Sequence, residues 1–157
     1  MVPLPPGGVI HDYVPFYFAP RSPMLYAISC GGVAGYSDGQ KPIVHLVSSA
    51  EAVQEAGLPF VFTDGHAIMD LSDFFNDLNE LPRVDWTVMR SRYWNDTVQD
   101  PDRCRRRQAE FLVHRSLPWD LIEEIGVMSQ ETKRGVDAIL PEAGHRPRVV
   151  VRAGWYY

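Results

Sequence analysis

A chain of 157 residues with 45% hydrophobic and 22% charged residues has the composition of a folded globular protein rather than a disordered one. It is long enough for one domain that buries roughly two-thirds of its unfolded surface. The net charge of −5 excludes a generic histone-like nucleic-acid binder, while a local basic groove stays open because steering depends on where charge sits.

Met1-Val2-Pro3-Leu4-Pro5-Pro6-Gly7-Gly8 reads as an extended linker over residues 1–12, without the charged and apolar regions of a signal peptide. Tyr13 to Phe18 is aromatic and β-prone, so a strand is expected, with Pro15 limiting its ladder. Ser22-Pro23 opens a short helix to Ile28, and Gly31-Gly32 ends it. Pro42 to Val47 reads as a strand, Ala50 to Ala56 as a helix closed by Gly57, and Phe60 to Phe62 as a short buried strand. Leu71, Phe74, Phe75 and Leu78 form an i, i+3, i+4, i+7 stripe that predicts a helix over 70–81. A helix is also expected over 86–94, followed by a polar loop over 95–102. Strands at 109–114, 125–128 and 148–152 follow, with a helical turn over 118–124 and a Ser129-capped helix running to Leu140. Short strands interleaved with short helices make an α+β domain over 13–157. No apolar run approaches the ~20 residues needed to span a bilayer. Cys30 and Cys104 are far apart and lack metal spacing, which predicts free thiols in a reducing cytoplasm.

The chemistry concentrates where an arginine run leads into a strand. Between Arg103 and Arg115 five arginines face one acid, Glu110, a local balance of +4. Alternation puts Glu110 and Leu112 on one sheet face, Phe111 and Val113 on the other. A carboxylate on such a strand is costly to bury unless something pairs with it or uses it. Arg103, Arg106 and Arg107 are either a solvated loop or a contact for a polyanion, and Tyr93 and Trp94 nearby offer surfaces on which bases could stack. His66 follows an apolar strand in the turn Thr63-Asp64-Gly65-His66, a position from which side chains enter clefts. Arg21 lies at a strand-to-helix junction beside Ser22, suited to a phosphate or to plain solvation. Tyr17 is either core or a ring that packs on a planar ligand. These residues point to a cleft in which an acid works beside arginines on a nucleotide or nucleic acid.

The segments His11-Asp12-Tyr13-Val14-Pro15-Phe16-Tyr17-Phe18-Ala19-Pro20-Arg21-Ser22-Pro23-Met24-Leu25, Phe62-Thr63-Asp64-Gly65-His66-Ala67 and Arg107-Gln108-Ala109-Glu110-Phe111-Leu112-Val113 resemble the signature of the DarT family. This is the DNA ADP-ribosyltransferase toxin family of DarT–DarG toxin–antitoxin systems, and the thymidine-modifying branch of thermophiles is most alike. Pro147 to Arg152 with Trp155-Tyr156-Tyr157 also fits. The resemblance implies an ADP-ribosyltransferase fold, a split, mainly antiparallel sheet flanked by helices with NAD in a cleft. It implies transfer of ADP-ribose from NAD to thymine bases in short motifs of single-stranded DNA. Glu110 takes the place of the catalytic glutamate and His66 that of a histidine near NAD and the target base. Tyr17, Arg21 and Ser22 fall at cofactor positions. Tyr93, Trp94, Arg103, Arg106 and Arg107 fall in or beside the DNA-recognition loop. A macrodomain antitoxin of the DarG type is the implied protein partner, with no membrane association.

In the family, a Tyr-His-x-Thr-His segment, an Asn-Leu motif and an arginine implicated in activating thymine precede the Val-Pro-x-Pro-Pro-Gly-Gly stretch. Here Met1 falls immediately before that stretch. The expectation is therefore a chain cut inside a larger domain, with weak NAD binding and little or no turnover. The alternative function is a catalytically impaired fragment that keeps a DNA- or antitoxin-binding surface.

Overall fold

In the computed structural model, which describes residues 1–142 and 144–157, the alternating run around Glu110 becomes an inner strand of a four-stranded sheet. Strands β1 (Tyr13–Tyr17), β3 (Phe60–Thr63), β4 (Phe74–Phe75) and β5 (Glu110–His114) lie in the order β1-β5-β3-β4, with every pairing antiparallel. A second sheet holds β2 (His45–Val47), β6 (Glu124–Val127) and β7 (Arg148–Val151), in which β2 runs antiparallel and β7 parallel to β6. The helices are α1 (Pro23–Ser29), α2 (Ala50–Glu55), α3 (Trp86–Arg90), α4 (Arg103–Arg107) and α5 (Gln130–Ile139). The α+β class and the mainly antiparallel pairing agree with the sequence reading.

The chain divides into two compact units, residues 1–19 with 50–117 and residues 20–49 with 118–157. The first unit carries the four-stranded sheet, which is buried on both faces. Phe60, Phe62, Phe111 and Val113 pack into one core with Val53, Val84 and Met89. Val61 and Leu112 pack into the other with Val2, Tyr13 and Ala67. Alternation along β3 and β5 thus feeds two cores at once. Truncating Phe111 to alanine would cost about 3–5 kcal/mol.

Three expectations are corrected by the structure. Residues 1–12 are not an extended linker: Val2 is buried, its N–H donates to Gly8 O at 3.0 Å, and Tyr13 OH donates to Gly7 O at 2.7 Å. The 70–81 stripe is not an α-helix. Phe74 and Phe75 pair with Thr63 and Phe62 of β3, and a 3-10 helix follows at Leu78–Arg83. The side chains there compete with helical bonding, as Asp64 Oδ1 accepts from Asp73 N and Asp77 Oδ1 from Asn79 N. The helix expected over 86–94 stops at Arg90. Of the two readings left open for the arginine run, the solvated loop does not hold: it is the helix α4, with Arg105, Arg106 and Arg107 in its last turn, where the macrodipole favours cations.

In the second unit, Ser129 Oγ accepts from Thr132 N and starts α5, as the sequence predicts. Glu124 on β6 is gripped by Arg152 through two bonds of 2.8 and 2.9 Å and approached by Arg148 at 3.5 Å. The Arg152 hydrogen bonds hold the Glu124 carboxyl below the usual carboxylate range. Cys30 and Cys104 are free thiols. Among the described residues no helix is long and apolar enough to cross a membrane.

Candidate active site

Three adjacent strand ends place the central group. Tyr17 at the end of β1 is the direct cross-strand partner of Glu110 at the start of β5. On the other side, Glu110 N donates to Thr63 Oγ1 at the end of β3 (3.1 Å). Thr63 Oγ1 in turn donates to Gly65 O at 2.6 Å, which bends the chain into the loop that carries His66 and Ala67. That loop returns over the carboxylate: Ala67 N donates to Glu110 Oε2 at 3.2 Å, and His66 Nδ1 stands 3.7 Å from the same oxygen.

Glu110 is buried, with a side chain 12% exposed. One oxygen is held by the Ala67 N–H, and no donor among the described residues reaches Oε1. His66 Nδ1 is buried without a hydrogen-bond partner, and the imidazole is partly exposed. Burial pushes the Tyr17 phenol above its ordinary pKa, and the nearby Glu110 charge adds to that. The cluster therefore offers a fixed carboxylate with one open acceptor, an unsatisfied imidazole nitrogen and a half-exposed aromatic ring. Such a set can accept a hydroxyl and stabilise positive charge developing on a neighbouring carbon.

The other candidate residues fall into separate groups. Tyr93 is exposed, its ring 5.6 Å from the Arg92 guanidinium, and its carbonyl accepts from Arg103 Nη2 at 2.7 Å. Trp94 O accepts from Cys104 Sγ at 3.7 Å, so both aromatic residues are tied to α4. Arg106 pairs with Asp85, Asp100 and Asp102. Arg107 is buried and donates to Val88 O and Met89 O. The local excess of positive charge in the sequence is therefore matched in space by aspartates. In the second unit, Arg21 Nε donates to Tyr156 O at 3.0 Å and its guanidinium lies 4.7 Å from the centre of the Tyr157 ring. Ser22 Oγ accepts from Leu25 N at 3.1 Å and so caps α1.

The sequence model of the family described as ssDNA thymidine ADP-ribosyltransferase, DarT, matches residues 1–157. The chain belongs to the DarT family. A DNA ADP-ribosyl transferase of Thermus sp. (strain 2.9) is 56% identical over 159 residues, covering 99% of this chain and 74% of that relative. The solved structure of Thermus sp. 2.9 DarT in complex with NAD+ superposes with a TM-score of 0.94 at 55% identity, covering 99% of this chain and 78% of that one. The same enzyme in complex with ADP-ribosylated ssDNA gives a TM-score of 0.94, covering 99% of this chain and 74% of that one. The expected family and ADP-ribosyltransferase fold are thereby established.

Within this DarT chain, sequence reasoning missed the groups that hold the site. Thr63, the Ala67 N–H, Asp64, Ser72 and Arg105 all shape the loop around His66. The one local signal was the Asp64-Gly65 turn directly after an apolar strand.

Proposed function

We propose that this chain transfers ADP-ribose from NAD to thymine bases in single-stranded DNA, with Glu110 and His66 as its catalytic residues. The observation that carries the reading is the Glu110 carboxylate, buried at a strand start with one oxygen held by Ala67 N–H and the other open. The fit to NAD is chemical: Oε1 can accept a hydroxyl of the nicotinamide ribose, and the carboxylate favours the oxocarbenium-like state as nicotinamide leaves. The bond from the ribose carbon to nicotinamide breaks, and a bond from that carbon to the thymine base forms as the base loses a proton. His66, with its unsatisfied Nδ1, stands where it can orient the ribose or the base. Tyr17 supplies a ring beside the carboxylate, and Arg21 and Ser22 are assigned to the cofactor by family position. Tyr93 and Trp94 with Arg103 form the DNA-facing group, and Tyr93 is the most exposed of the three. The same reading makes the chain the toxin of a toxin–antitoxin system, with a macrodomain antitoxin of the DarG type as its protein partner.

The experiment is mass spectrometry of oligonucleotides incubated with the chain and NAD, with and without thymidine. Thymidine-dependent addition of one ADP-ribose is expected, and Glu110→Ala should lower its rate by roughly 10²- to 10³-fold. Induced expression should arrest bacterial growth for the unaltered chain and not for Glu110→Ala. An oligonucleotide that binds without being modified would overturn the catalytic reading in favour of a binding fragment.

A further inference from the structure

We propose that Arg105 is a positioning residue that holds residues 64–72, so that the Ala67 N–H and His66 stand against the Glu110 carboxylate. This rests on the reading of Glu110 given above. Arg105 lies on α4, five residues before Glu110 and 41 positions from Asp64, its partner in the loop. Its guanidinium works in two directions. Nε and Nη2 donate to the two Asp102 oxygens at 2.8 Å each, which fixes the fork to its own helix. Nη1 donates to Asp64 Oδ1 at 3.1 Å and to Ser72 Oγ at 3.0 Å, which joins both ends of the loop.

The grip extends to the backbone of His66 on both sides. His66 N donates to Arg105 O at 3.0 Å, while Ser72 Oγ, already receiving from the arginine, donates to His66 O at 2.8 Å. The neck of the loop is closed by Asp73 N donating to Asp64 Oδ1 at 3.0 Å. Gly65 shows how closely the arginine lies. A Cβ there would sit 2.2 Å from Arg105 Nη1, 2.9 Å from Cζ and 3.0 Å from Cγ. Only glycine lets the side chain cross at that point. Since four hydrogen bonds already engage the guanidinium and its side chain is only 13% exposed, a DNA phosphate could reach it only by displacing them. Lysine cannot replace it, because a single ammonium lacks the planar fork that serves Asp102 and the loop at once.

The test uses Arg105→Met, Arg105→Lys and Gly65→Ala in the whole chain, with two readouts. In the modification assay, kcat should fall roughly tenfold to a hundredfold for Arg105→Met while KM for NAD stays within about threefold, since a small misplacement near the reacting atoms acts on rate. Arg105→Lys should fall between that variant and the unaltered chain. Gly65→Ala should reproduce the loss from the other side of the contact, and adding it to Arg105→Met should bring little further loss. In hydrogen exchange, which needs no turnover, amides of residues 64–72 should exchange about tenfold faster in Arg105→Met while those of β3 and β5 keep their protection. Unchanged exchange in 64–72, or a loss confined to DNA affinity with kcat intact, would overturn the proposal. An unaltered chain that modifies no DNA would sink the proposed function and leave the exchange result to decide the role of Arg105.

Discussion

At the scale of single residues, two buried side chains show the same physics with opposite purposes. Glu110 keeps one oxygen without a donor, whereas Glu124, also buried, has both oxygens bonded by Arg152. The first arrangement leaves chemistry available and the second spends it on structure. Half-buried His45 is satisfied on one side only, its Nδ1 having no hydrogen-bond partner. Its Nε2 bonds Pro20 O at 3.0 Å, and its ring meets Trp155 and Tyr156 edge-on at 5.5 and 4.8 Å. Burial holds its pKa below that of an ordinary imidazole, and the bond to Pro20 opposes this only in part. The folded chain therefore takes up a proton less readily than the unfolded one. That contribution to stability is complete above the ordinary imidazole value of about 6.5 and is lost as pH falls through it toward the lowered folded value. Thermal melts at about pH 7.5 and 5.5 should show a lower Tm at the acidic pH. His45→Gln should shrink the difference; a variant with the full wild-type pH dependence would count against this assignment.

At the scale of elements, the strands at 110–114, 124–127 and 148–151 were legible because short apolar runs with β-branched residues mark buried strands. The α5 helix was legible through its Ser129 cap. The stripe over 70–81 misled because Phe74 and Phe75 serve β4 and the intervening Asp and Ser side chains bond the backbone into turns. Glu110 and His66 were named as candidates by family position, and the fold brings their side chains within 3.7 Å of each other. Arg105, Asp64 and Ser72 were not, because their contacts join residues 33 and 41 positions apart and no local period encodes them. The closing Trp-Tyr-Tyr segment depends on the same kind of distant contact. A Cβ at Gly126 of β6 would lie 2.5 Å from the Trp155 ring, while Tyr156 OH donates to Ile43 O and Gly126 O. Gly126→Ala should thus unseat the indole and cost about 1–3 kcal/mol. For a chain of this size that lowers Tm by roughly 2–12 °C. A melt unchanged within error would show that the indole has room to shift.

At the scale of the whole molecule, charge decides how the chain can hold DNA. A net charge of −5 with an arginine run suggests one strong basic patch set against an acidic remainder. The structure distributes it differently, since Asp64, Asp85, Asp100 and Asp102 engage Arg105 and Arg106, and Arg107 turns inward to Val88 and Met89. Arg90 and Arg92 are exposed, and half-buried Arg103 reaches Tyr93 O through Nη2. Each phosphate neutralised on a single strand contributes about −0.7 to the slope of log Kobs against log salt. Three such contacts predict a slope near −2, whereas five freely available arginines would give about −3.5. Fluorescence anisotropy of a labelled thymidine-containing oligonucleotide, titrated at several salt concentrations, measures that slope. Removing Arg92 should flatten it by roughly one contact, and Arg106→Gln should leave it unchanged because that side chain already belongs to aspartates. A slope near −3.5 that falls with Arg106→Gln would mean that DNA displaces the aspartates, and the whole α4 cluster would then have to be counted as DNA-binding surface.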